Sequence, residues 1–115
     1  MRLRLPGRAH ASHTDPDGTV TGPARVDHRT KALTKRLRAG DIAVIDHMDI
    51  DRVSAEALVA CSPSAVLNAA ASTSGRYPNV GPQILLDAGI PLVDGLGEGV
   101  MALKDGAKIS IKDNA

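Results

Sequence analysis

The stretch Ser72 to Pro82 (STSGRYPNVGP) sets hydroxyls, an amide, a guanidinium and two glycines between an apolar run and a helix-forming one. Ser72, Ser74, Asn79 and the backbone amides near the helix start have the donors to hold an anion. Arg76 adds a planar fork that can grip a phosphate through two parallel bonds. Gly75 and Gly81 allow close backbone approach and, with Pro78 and Pro82, mark where the helix begins. Asn68, which ends the preceding run, joins this ligand-binding set chiefly as a brace, as does Tyr77 beside it. Asp46 and Asp94 fall at neighbouring strand ends and form an outer layer. An alternative is that one of them simply ties down Arg76. The loop points to binding without naming a reaction.

Other reactive side chains read as structural. Asp46, His47, Asp49 and Asp51 together have the ligand types of a divalent cation site. Either Asp49 or Asp51, however, is wanted as N-cap of the next helix, where its charge suits the helix dipole, so no metal is assigned. Cys61 is a lone cysteine with no His or Lys beside it in sequence. It fits a small buried hydrophobe in a reducing compartment. His10 and His13 lie in a segment without apolar periodicity and make a poor metal pair. Gly95-Leu96-Gly97-Glu98-Gly99 lacks both the full dinucleotide fingerprint and the helix that must follow it.

The elements that position the loop follow from periodicity. Ile42 to Asp46 (IAVID) and Ala65 to Asn68 (AVLN) are near-continuous apolar runs, the pattern of strands buried on both faces. Arg52 to Cys61 is an amphipathic helix, with Val53, Ala57, Leu58 and Cys61 on its apolar stripe and Arg52 and Glu56 on the other face. Gln83 to Ala88 completes a second helix, with Ile84, Leu85 and Ala88 inward and Gly89 as its stop. Thr19 to Val26 is expected as a short edge strand broken at Gly22-Pro23, and Ala32 to Arg38 as one or two amphipathic turns. Pro91 to Val93 is a third buried strand. Val100 to Leu103 is an apolar turn, Asp105-Gly106 a tight turn, and Lys108 to Ile111 a closing strand. AVLN delivers its C-terminal end into the loop, the end of a parallel sheet where ligands collect.

With 115 residues and 43% hydrophobic content, the chain is one domain with a single aliphatic core. Residues 1–38 carry nine Lys/Arg against three Asp/Glu, and residues 39–115 carry five against ten. Residues 1–18 therefore read as a flexible, disordered basic leader, and 19–115 as the folded domain. Aromatic interleaving and a nucleic-acid-binding helix motif are missing, which argues against a nucleic-acid partner. No run reaches membrane-spanning length and no apolar signal core follows Arg2 and Arg4.

Two resemblances join this reading. Gly40 to Val44, Ala88 to Val93 and Leu103 to Ile111 resemble the strand patterns of the phosphohistidine swivelling β/β/α domains. Val80 stands where that family carries its phospho-carrier histidine, so a histidine phosphate relay is not expected. The closer resemblance is to the N-terminal part of SteA-like proteins, a cytokinetic-ring family also described as thiamin-pyrophosphokinase-like. It rests on G-P-A-R-V-D (Gly22 to Asp27), L-x-x-G-D-I-A-V-I-D-H (Leu37 to His47), V-L-N-A-A (Val66 to Ala70), S-G-R-Y-P-N-x-G-P (Ser74 to Pro82) and A-G-I-P-L-V-D (Ala88 to Asp94).

The expected fold class is α/β: a small swivelling-type β/β/α domain with helices packed on a mostly parallel central sheet. The resemblance implies the leading domain of a longer cytoplasmic protein of actinobacterial type, anchored at the division site. A kinase-like, nucleotide-binding domain and a membrane anchor would follow, with a SteB-like membrane protein as partner. ATP and Mg²⁺ are the implied cofactors of that full-length protein, with none in these residues. The function expected here is a non-catalytic binding or docking module, its loop holding a phosphate-bearing small molecule or seating against the downstream domain. The alternatives are a fragment of an ATP-using thiamine diphosphokinase, with Asp46, Asp49 and Arg76 in its site, and a structural domain whose loop faces a protein partner.

Overall fold

The computed structural model describes residues 2–4, 13–14, 19–74 and 80–112. In chain order the strands are β1 (Arg2–Arg4), β2 (His13–Thr14), β3 (Val20–Val26), β4 (Ile42–Ile45), β5 (Ala65–Asn68), β6 (Leu92–Val93) and β7 (Lys108–Lys112). The α-helices are α1 (Thr30–Thr34), α2 (Arg52–Ala60) and α3 (Gly81–Asp87), and a 3₁₀ helix spans Glu98–Ala102. The fold is α/β. Strands β3, β4, β5 and β6 run parallel side by side, and β7 closes onto β3 antiparallel.

The two apolar runs explain this centre. Every residue of β4 and β5 is buried, so both faces of the sheet have to be covered. Alternation divides their side chains. Ala43, Ile45 and Val66 meet Leu33 of α1, Ala55 and Leu58 of α2 and Leu85 of α3 in one cluster. Ile42, Val44, Ala65 and Leu67 meet Val20, Ile109 and Ile111 in the other, capped by Leu96, Val100, Met101 and Leu103. Helices therefore cover one face, and β7 with the 3₁₀ segment covers the other. Each fully buried Leu, Ile or Val contributes roughly 1.5–3 kcal/mol of transfer free energy.

Several expected elements differ in detail. β3 is neither broken nor at an edge. Its first half pairs with β7 and β2 and its second half with β4. Gly22 and Pro23 fall between the β2 and β4 ladders, so the missing proline N–H lies where that side of the strand changes partner. On α2 the buried residues are Ala55 and Leu58, whereas Val53 is 74% exposed. The stripe is therefore rotated from the one expected. Ala88 ends α3 in an exposed position, while Gly89, at φ 79°, makes the left-handed exit that glycine allows. Within the leader, β1 pairs with β7 and β2 with β3, both antiparallel. These pairings occupy strand edges that would otherwise be open.

Cys61 donates from Sγ to the Thr34 carbonyl at 3.3 Å, and burial pushes its thiol above the ordinary value of 9.0. A different polar group lies deeper. Lys108, opposite Pro23, is buried, and its Nζ has no hydrogen-bond partner. Among the described residues, no helix is long and apolar enough to cross a membrane.

Candidate functional site

Asn68, the last residue of β5, organises the C-terminal margin of the parallel sheet. It is fully buried. Its Oδ1 accepts from the backbone N–H groups of His47 at 3.0 Å and Ala70 at 3.1 Å. Its Nδ2 donates to the His47 carbonyl and to Ser72 Oγ, both at 2.9 Å. Two lone pairs and two N–H groups are the whole capacity of an amide side chain. Asn68 is thus a brace, with no polar valence left for a ligand.

Ser72 continues the same network. Both its N–H and its hydroxyl donate to Asp94 Oδ1 at 2.7 Å, while its oxygen accepts from Asn68. Ser74 is held by another carboxylate, its N–H on Asp49 Oδ1 at 2.6 Å and its hydroxyl on Asp49 Oδ2 at 2.9 Å. Asp49 adopts φ 54°, a left-handed backbone that Asp tolerates better than most residues. The N–H groups of Asp49 and Ile50 bond the carbonyls of Ala71 and Ser72, each at 3.0 Å. The 71–74 and 49–50 segments are therefore laced together. Both serine hydroxyls, expected as anion donors, are engaged by carboxylates instead.

Gly81 has a packing role. A Cβ placed on it would lie 2.0 Å from the Ile50 carbonyl oxygen and 3.0 Å from that of Asp51. That close approach sets α3 against the start of α2. Asp51, rather than Asp49, is the N-cap of α2, its Oδ1 accepting from Ser54 N–H at 2.8 Å. Hydrogen bonds from the Ser54 side chain and backbone hold the Asp51 carboxyl below its ordinary value of 3.8.

Asp46 pairs with a residue of the turn after β3. Its Oδ2 lies 3.3 Å from Nδ1 of His28, whose Nε2 is 3.7 Å from Glu98 Oε1. His47 Nδ1 pairs with Thr30 Oγ1 at 2.7 Å, fastening the first turn of α1 to the end of β4. Asp46, His47, Asp49 and Asp51, to which no metal is assigned, are thus dispersed among four different partners. Gly75, Arg76, Tyr77 and Asn79 lie outside the described residues.

A second polar cluster, unanticipated from the sequence, centres on Asp105. Its Oδ1 accepts from Val26 N–H at 2.8 Å and from Arg36 at 2.7 Å, and Arg25 approaches Oδ2 at 3.4 Å. Arg25 also reaches Asp41 at 3.3 Å. Burial alone would raise the Asp105 carboxyl, but the Val26 N–H and the Arg36 guanidinium outweigh it and leave it below 3.8. Only the D-G turn signal at Asp105-Gly106 marks this place in the sequence.

The loop base is therefore rich in carboxylates and closely braced. Such a base can fix the path of the chain and carry a donor-bearing or cationic group. Affinity for a phosphate has to come from residues beyond it. No protein-family model and no curated protein matches this chain.

Proposed function

We propose that this chain is a non-catalytic binding and docking domain of the SteA-like cell-division type. In this reading it acts on the cytoplasmic side as the leading part of a longer, membrane-anchored protein. Its 72–82 loop takes a phosphate-bearing ligand, a nucleotide or thiamine phosphate, or seats against the downstream nucleotide-binding domain. One observation supports it above the others: the chain leaves β5 through a fully satisfied brace, Asn68 with Ser72 and Asp94, at the C-terminal margin of parallel strands. Such rigidity at a loop's base lowers the ordering cost of binding at its tip. With Ser72 and Ser74 engaged at the base, ligand contact falls to Arg76 and Asn79.

Calorimetric titration with nucleotides and thiamine phosphates tests the ligand. Heat that vanishes in Arg76→Ala, with thermal stability unchanged, is the expected result. Silence across all these compounds removes the ligand, and a further silent titration with the downstream domain in trans removes docking as well.

A further inference from the structure

We propose that His28, Asp46 and Glu98 form a binding site for a divalent transition-metal cation, with Zn²⁺ the best fit. One ligand atom from each lies within 4.8 Å of the other two. The three come from separate elements: the turn after β3, the residue after β4, and the first residue of the 3₁₀ helix. An imidazole with two carboxylates is a borderline donor set, suited to Zn²⁺, Co²⁺ or Mn²⁺ more than to Ca²⁺. A protein-bound tetrahedral Zn²⁺ holds its ligand atoms about 3.4 Å apart. The His28–Asp46 separation of 3.3 Å already has that span. Glu98 Oε1 lies 3.7 Å from the other ring nitrogen, Nε2, so its exposed side chain has to swing round to the Nδ1 side to share one ion with Asp46.

The backbone beneath each ligand is fixed to the central strands. Asp27 N–H, one residue before His28, bonds the Val44 carbonyl at 3.2 Å, and Gly97 N–H, one residue before Glu98, bonds the Ala69 carbonyl at 3.0 Å. His47 N–H, just after Asp46, is on Asn68 Oδ1 at 3.0 Å. Three ligands carried on backbone tied to neighbouring β4 and β5 termini lose little freedom on closing around an ion. At 62% and 69% exposure, His28 and Glu98 can change without disturbing the core. This inference does not depend on the ligand of the 72–82 loop.

The test is titration of the whole chain with Zn²⁺ by calorimetry, and with Co²⁺ followed by visible absorption. One equivalent should bind, raise the melting temperature and give the intense visible bands of low-coordinate cobalt. Glu98→Gln should weaken binding at least tenfold, and His28→Ala should abolish it. His10→Ala/His13→Ala should leave it intact, which separates this site from the leader histidines. If His28→Ala fails to fold, Glu98→Gln decides. Absence of binding by both metals, wild-type affinity in Glu98→Gln, or loss of binding in the leader double variant would each overturn the assignment.

Discussion

The N–H and the hydroxyl of Ser72 converge on a single oxygen of Asp94, each at 2.7 Å. This pair joins the exit of β5 to the exit of β6. Together with Asn68 it forms a polar network in which the buried members are satisfied, so removing one member leaves another stranded.

Asp94→Ala should therefore cost about 1–3 kcal/mol in urea unfolding, because it removes the carboxylate on which both Ser72 donors converge. Asp94→Asn, which keeps an acceptor oxygen, should cost less. Asn68→Ala takes away the partner of the His47 N–H, the His47 carbonyl and the Ala70 N–H and should be the worst of the three. Equal stabilities across this set would mean that the network is not what holds the loop base.

Gly81→Ala should destabilise the domain by about 3 kcal/mol or more, since the new methyl meets backbone, which cannot rotate aside. Gly99→Ala is the control. Nothing lies within 4 Å of a Cβ at that site, and its midpoint in the same denaturation series should stay within about 0.5 kcal/mol of wild type.

Lys108→Met should stabilise the chain by roughly 1–3 kcal/mol, because it keeps the aliphatic stem and removes a buried amine without a partner. Chemical denaturation reads this directly. A loss of stability would show that the amine has a favourable interaction in solution.

Stability should fall in acid through Asp51 and Asp105. Both carboxyls are depressed in the folded state, so their contribution is fully present above the unfolded value of 3.8. It is lost as pH drops through their lower folded values. Thermal melts between pH 6 and about 2.5 should show the decline, and Asp105→Asn should flatten it. An unchanged slope in that variant would remove Asp105 as a contributor.

The core was legible where burial on both faces forces a continuous apolar run, as in IAVID and AVLN, and where glycine has a backbone duty, as at Gly89. It was less legible on α2, where Val53 belongs by spacing to the apolar stripe yet faces solvent. Short helices leave the phase of the stripe to tertiary packing. Gly22-Pro23 suggested a break because local propensity cannot see a partner change along one strand edge. At the site, serine hydroxyls look the same in sequence whether they await an anion or already serve a carboxylate. Asp94 and Asp49 decide that question from far along the chain. The approach of His28, Asp46 and Glu98 leaves no local spacing to read, since three separate elements bring it about.

The pairing of Val20 with Ile111 has a kinetic consequence. Segments far apart in sequence must meet before β3 acquires β7 as an antiparallel neighbour, whereas β4, α2 and β5 can assemble from nearby sequence. Loop closure over such a span is slow, so the parallel centre should form first in refolding, with β7 docking last. A nascent chain would then keep one flank of its sheet unsealed until Lys108–Lys112 has emerged, with that strand edge open in the interval.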